Sequence, residues 1–238
     1  MEVSSTEIQN NFGTYLKLAQ VENVYITRNG KRIAVLQYQK DKPEGLSETK
    51  ADYRGGKPRV SAEEFWKFVE ASENRYELID GEVFQLASPS YEHQRITGEI
   101  FSQIHQWSKG KKCKPVTAPF DVTLFKDNME NIVQPDIVVI CDPEKVNDRG
   151  RYQGIPTLVF EVLSESTRNK DMLKKLNLYM AGGVGEYWII NPWNREIYIY
   201  TFASGEISNY RVFKVKENAD SEVLKDLNIP LEQIFIIE

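Results

Sequence analysis

Two strand-length apolar runs, each interrupted by one carboxylate, constrain this chain more than any other feature of its sequence. The first is Gln134-Pro135-Asp136-Ile137-Val138-Val139-Ile140. The second, Leu158-Val159-Phe160-Glu161-Val162-Leu163, carries its acid twenty-five residues after the first. A run that is apolar at successive positions reads as a strand covered on both faces, which demands a sheet with layers on either side. A carboxylate inside such a strand is costly to desolvate unless it is paired or binds a cation. Single strand-borne acids are usually edge or turn residues. Two of them on adjacent strands would instead set hard oxygen ligands close together, a donor set that suits Mg²⁺ or Mn²⁺.

The flanking sequence supplies the layers. Ser61-Ala62-Glu63-Glu64 is a capping box that opens a helix with Phe65, Phe68 and Val69 on one face. Residues 76–84 read as a hairpin turning at Asp80-Gly81. A long helical stretch from about Ser90 to Lys109 carries Ile96, Ile100, Ile104 and Trp107. Strands are expected near 115–125, 134–140, 156–163, 186–190, 195–202 and 207–214, with a helix over 168–181. The pattern predicts an α/β or α+β domain with one mixed sheet flanked by helices. Upstream, Ile8, Phe12, Tyr15, Leu16 and Ala19 predict an amphipathic helix over 5–20, capped by Ser4 or Ser5. The runs 24–28 and 32–38 then form a hairpin about Asn29-Gly30. Some forty residues bury too little surface to be comfortable alone, so this piece should dimerise or lean on the rest. Residues 41–59 are polar and rich in Gly and Pro, a linker signature. The expected organisation is therefore 1–40, a linker over 41–59, and a large domain over 60–238.

Composition narrows the function classes. Hydrophobic residues make up 41% and charged residues 27% of the 238, which excludes collagen-like and wholly disordered chains. No apolar run approaches the ~20 residues of a bilayer helix. The start of the chain lacks the basic-then-apolar order of a signal peptide, so a cytoplasmic setting is expected. Cys113 and Cys141 form no CxxC pair and have no clustered histidines, so neither a zinc site nor a disulfide framework is predicted. The net charge of −5 excludes a chain basic throughout. It is uneven, however: Lys17, Arg28, Lys31, Arg32 and Lys40 against Glu2, Glu7 and Glu22 leave +2 on residues 1–40 and −7 on the remainder. Lys109, Lys111, Lys112 and Lys114 are the densest positive spot, read as a solvated loop ahead of a phosphate-contacting patch.

A cation for the two acids is available on the next helix. Lys175 and Tyr179 lie at i and i+4 and share a face. A lysine beside two metal-bound carboxylates can orient a water and stabilise the charge that builds on a pentavalent phosphorane, as phosphodiester hydrolysis requires. Spacing alone equally allows Lys174 and Lys175 to be surface lysines. His93 opens the long helix, where it caps or packs, or else contacts a phosphate or acts as a base. The glycines at 182, 183 and 185 follow a helix and read as cap and turn residues. Tyr187 and Trp188 read as core.

Several of these segments occur in a recognisable order: residues 76–82, Glu92-His93-Gln94, Gln134-Pro135-Asp136, Glu161-Val162-Leu163-Ser164, Asp171 with Lys175 and Tyr179, and residues 183–188. Together, over about 60–205, they resemble the Uma-type restriction endonuclease domains of the PD-(D/E)xK nuclease superfamily. The resemblance implies a restriction-endonuclease-like α/β fold with a mixed sheet flanked by helices. It makes Asp136 the PD aspartate and Glu161 the second metal ligand for Mg²⁺ or Mn²⁺. Glu77 becomes a further candidate ligand or water binder. Leu163 stands where the superfamily has its lysine, so the basic group must come from Lys175. Residues 3–36 in turn resemble the DNA-binding and dimerisation unit of Phd/YefM-type antitoxins, most specifically Ile26-Thr27-Arg28-Asn29-Gly30-Lys31 followed by Ala34-Val35-Leu36. That resemblance implies a small α+β module, a homodimer, and phosphate contacts by Arg28, Lys31 and Arg32.

The expected function is a Mg²⁺-dependent endonuclease tethered to a dimerising, DNA-binding module, with DNA and RNA substrates both open. The alternative is a non-catalytic DNA-binding regulator or antitoxin whose large domain is a silent scaffold. A third reading makes Glu161 and Lys175 a buried structural ion pair.

Overall fold

A computed structural model describes residues 2–10, 24–36, 59–164 and 170–235. The rest of the 5–20 helix, nearly all of the 41–59 linker and the start of the 168–181 helix lie outside the described residues. The chain divides into two units, Met1–Arg54 and Gly55–Glu238.

In the small unit, β1 (Glu2–Ser4) precedes α1 (Ser5–Asn10), and β2 (Val24–Arg28) pairs with β3 (Lys31–Leu36) as an antiparallel hairpin. Asn29 and Gly30 both have positive φ, 51° and 72°, the geometry that matches a two-residue turn to the strand twist. β1, too short for any sequence period to show, pairs parallel with β2. Val3, Ile8 and Val24 make a small core. Ile33 and Val35 on the edge strand β3 stay exposed.

The large unit begins with α2 (Ala62–Glu70), whose capping box forms as the sequence predicts: Ser61 Oγ accepts from Glu64 N and the Glu64 carboxylate accepts from Ser61 N. Ser61→Ala is expected to remove about 1 kcal/mol, which a thermal melt would register as a fall of roughly 2–4 °C. β4 (Tyr76–Ile79) and β5 (Glu82–Gln85) follow. At their turn, a Cβ on Gly81 would come within 2.7 Å of Arg59 Cβ, and φ is +78°, so glycine serves both the turn and the close approach. α3 (Tyr91–Trp107), β6 (Lys114–Thr117), β7 (Val122–Lys126), β8 (Met129–Val133), β9 (Ile137–Ile140) and β10 (Leu158–Val162) come next. A π-helical turn, Lys170–Lys175, runs into α4 (Leu176–Ala181), and β11 (Glu186–Asn191), β12 (Glu196–Ala203) and β13 (Glu206–Lys214) complete the main sheet. The chain closes with β14 (Asn218–Asp220), β15 (Asn228–Pro230) and α5 (Leu231–Phe235).

The main sheet has six strands in the order β13-β12-β11-β10-β9-β6. β10 is parallel to β11 and antiparallel to β9, so the sheet is mixed as expected. Every residue of β9, β10 and β11 is buried. Ile96, Ile100 and Ile104 of α3 cover one face with Ile137, Val139, Leu158, Phe160 and Trp188. On the other face Val138, Val159, Leu163 and Ile189 meet Leu178 and Tyr179 of α4. Burying each such aliphatic side chain contributes roughly 1.5–3 kcal/mol.

Two expectations are corrected. The single sheet is accompanied by a second, antiparallel sheet of four strands, β5-β4-β8-β7, whose Ile79, Val122, Leu124 and Val133 join α4 on that second face. Its β7–β8 hairpin turns at Asp127-Asn128, both with positive φ, a pair less conspicuous than Asn-Gly. Secondly, Cys113 and Cys141 form a disulfide. β6 and β9 pair Lys114 with Ile140, and one step further along that register 113 faces 141, a juxtaposition no linear spacing of 28 residues reveals. Cysteine usage therefore no longer argues for a reducing compartment. Among the described residues, no helix is long and apolar enough to cross a membrane.

Candidate active site

β9 and β10 pair as 139 with 158, 138 with 159 and 137 with 160. Continuing by one pair sets Asp136 across from Glu161, and directly opposed residues project from the same face with Cβ atoms about 4.5–5.5 Å apart. The Val162 amide donates to Asp136 Oδ2 at 2.8 Å, which fixes that carboxylate at the end of the strand pair. His93, in the first turn of α3, brings Nε2 to 3.2 Å from the same oxygen.

Glu161 is 4% exposed and is held from α4's side. Lys175 Nζ lies 2.6 Å from Glu161 Oε1, and the Tyr179 hydroxyl donates to the same oxygen at 2.9 Å. The i, i+4 face predicted for Lys175 and Tyr179 thus converges on one carboxylate. Lys175 Nζ also lies 2.8 Å from Glu77 Oε1, and the Gln134 amide donates to that oxygen at 3.0 Å. Lys175 is a buried cation shared by two buried acids, neither a surface lysine nor one half of a simple pair. Its neighbour Lys174 is the more exposed of the two and reaches Glu82 at 2.6 Å.

Asp136, Glu161, Lys175, His93 and Gln134 line one cleft of about 580 Å³, and Glu77 is not among its lining residues. Glu77 touches the cleft-lining Lys175 from behind. Glu92, on the rim, accepts two hydrogen bonds from Arg95 at 2.9 and 2.8 Å. Those bonds hold its carboxyl below the usual range against the opposing effect of burial, and the charges of Arg95 and Arg195 add to them.

Among the described residues no group of three or more His, Cys, Asp or Glu side chains gathers as a metal cage. Mg²⁺ does not require one: it is commonly held by one or two carboxylates, with waters and substrate phosphates completing its shell. Asp136 and Glu161 fit that pattern. Asp136, Glu161 and Glu77 against Lys175 carry a formal −2 between them.

Leu163 is 2% exposed and packs in the core, and the ammonium beside Glu161 is that of Lys175. Tyr187 and Trp188 are fully buried, Gly182 caps α4 and Gly183 turns the chain at φ +81°, all as expected. Of the lysine cluster, Lys111 lies over the Trp107 ring at 4.7 Å and Lys114 donates to the Ser108 carbonyl at 3.0 Å. In the small unit Arg28 and Lys31 flank the hairpin turn as a cross-strand pair. Arg32 is engaged by Glu2 at 2.7 Å and lies over the Tyr25 ring at 4.2 Å. The sequence reading missed Gln134, Arg75 and Trp193 as parts of the cleft. Gln134 acts there through its backbone amide, which no side-chain pattern reports.

Comparison with known proteins identifies a family and a fold. The profile of the family Uma2, described as "Putative restriction endonuclease", matches residues 62–232. The uncharacterized Synechocystis protein slr1290 is 29% identical over 146 residues, 60% of this chain and 74% of that protein. A second uncharacterized protein of the same organism, sll1609, is 27% identical over 121 residues, 50% of this chain and 67% of its own length. Among solved structures, a "putative nuclease belonging to DUF820" from Anabaena variabilis superposes with a TM-score of 0.62. It is 20% identical and covers 74% of this chain and 97% of that one, a likeness of fold.

Proposed function

The chain belongs to the Uma2 family, and from that premise we propose that its large unit is a Mg²⁺- or Mn²⁺-dependent nuclease that hydrolyses phosphodiester bonds. The observation that carries the reading is the convergence of Asp136, Glu161 and Lys175 on a single cleft from three separate segments. Asp136 and Glu161 would hold the ion; when bound, it polarises a phosphoryl oxygen and lowers the pKa of a water. Lys175 supplies a fixed positive charge at the cleft wall, where charge develops on the phosphorane. Glu77 and Tyr179 are positioning residues: one holds the ammonium of Lys175, the other the carboxylate of Glu161. His93 steadies Asp136 and faces the incoming phosphate.

Incubating the purified protein with DNA and RNA should give hydrolysis with Mg²⁺ or Mn²⁺ and none in EDTA. Asp136→Asn and Glu161→Gln should each lower the rate by about 10²–10³-fold or more. Equal degradation by the wild type and both variants would mean a contaminating nuclease and would sink the proposal.

The small unit is proposed as a dimerising DNA tether. Support comes from Arg28 and Lys31 at an exposed turn and from Ile33 and Val35, apolar and 57% and 44% exposed on an edge strand, a surface that proteins normally cover. Sedimentation should report a dimer that Ile33→Lys weakens. The rival reading, a regulator with a silent scaffold, draws on Leu163. It would gain if calorimetry found no divalent binding while salt-sensitive DNA binding persisted.

A further inference from the structure

The cleft has a second set of walls that the hydrolysis proposed above does not use. Trp193 and Arg75 line it together with Asp136 and Glu161. Trp193 lies in the turn between β11 and β12, and that turn is fixed from beneath. Asn191, 2% exposed, accepts at Oδ1 from the amides of Trp193 and Asn194 at 3.1 and 3.2 Å. Its Nδ2 donates to the Tyr198 hydroxyl at 3.2 Å. On this anchored turn Trp193 is 50% exposed, and among the described residues its indole makes no hydrogen bond, ring contact or cation–π contact. Core packing does not account for a large, rigid aromatic held half in solvent on the wall of a cleft that also carries two carboxylates. Arg75, just before β4, is half-buried. Its guanidinium forms no ion pair or side-chain hydrogen bond with another described residue, although carboxylates line the same cleft. An unpaired planar cation and a half-exposed indole on the wall of one cleft match the two halves of a nucleotide.

We infer that Trp193 is a stacking platform for an unpaired base and Arg75 a contact to a neighbouring phosphate, so that the substrate class is single-stranded nucleic acid. The inference rests on the nuclease reading of the cleft and adds the state of the strand. Within a duplex, away from its two ends, both faces of each base are covered by the bases above and below, so there an indole can stack only on a base that has left the helix or never joined one. Stacking is tolerant of base identity, because every base has a π-face.

The test is binding of a fluorescent twelve-residue oligothymidylate to the full chain in EDTA, followed by anisotropy, with a duplex of the same length as the comparison. Trp193→Ala is expected to weaken single-strand binding about tenfold and Trp193→Phe to keep most of it, with duplex binding unchanged. Arg75→Ala should lower the slope of log K against log salt by about 0.7, the contribution of one phosphate on a single strand. Melting temperatures within a degree or two of the wild type would show that the variants fold. The inference is overturned if the oligothymidylate does not bind, if Trp193→Ala binds it as tightly as the wild type, or if duplex binding falls by the same factor. Hydrolysis is scored separately. A chain that binds through Trp193 but never cuts overturns the nuclease reading alone, whereas one that cuts but binds independently of Trp193 overturns this inference alone.

Discussion

Lys175→Met is expected to cost the large unit about 3–5 kcal/mol and to leave no measurable hydrolysis. The ammonium lies 2.8 Å from Glu77 and 2.6 Å from Glu161, and all three side chains are at most 5% exposed. Methionine keeps the length of the side chain and removes the charge, so two carboxylates remain in a site too dry to hydrate them. In a domain of this size the loss corresponds to roughly a 10–15 °C fall in melting temperature. The pairing predicts its own partial remedy. Glu77→Gln combined with Lys175→Met removes one of the stranded charges and should melt well above the single variant while staying inactive. Calorimetry on the two variants decides the matter. If Lys175→Met melts with the wild type, the three groups do not balance one another and the assignment of Lys175 fails.

Glu186→Ala is the second large effect, about 3–5 kcal/mol, because two or more buried donors lose their acceptor at ~1–3 kcal/mol each. Glu186 is fully buried on β11. It accepts from the Trp188 indole at 2.9 Å, the Ser221 hydroxyl at 2.7 Å and the Glu222 amide at 2.7 Å. The last two bonds tie the β14–β15 segment to the main sheet. Glu186 does not line the cleft, so hydrolysis measured well below the melting temperature should survive. Hydrogen exchange should rise most over residues 218–235, and Glu186→Gln, which retains an acceptor oxygen, should lose less. Uniform exchange across the sheet would contradict the clamp.

What the sequence disclosed follows from how local each signal is. The capping box at Ser61, the Asp80-Gly81 and Asn29-Gly30 turns, the 17-residue helix α3 and the doubly covered strands β9 and β10 are written in neighbouring residues, and they were legible. So was the shared face of Lys175 and Tyr179, which needs only helical periodicity. Features that depend on long-range pairing were not. β1 is three residues long and is defined by its partner β2. The separate sheet forms where the pairing of Leu78 with Ile132 joins the β4–β5 and β7–β8 hairpins, and the Cys113–Cys141 bond depends on the register of β6 against β9. Within the site, Asp136 and Glu161 could be named from the cost of burying them, and Glu77 from the family resemblance. That Glu77 would sit behind Lys175 rather than in the cleft could not, because it depends on how one sheet stacks against another.

Glu77 belongs to the four-stranded sheet and Glu161 to the six-stranded one, so a single ammonium group is gripped by both layers at once. Sliding or parting of the layers therefore withdraws that ammonium from the cleft before either sheet has come undone. Heat inactivation should accordingly run ahead of, or together with, the loss of secondary structure, and never behind it.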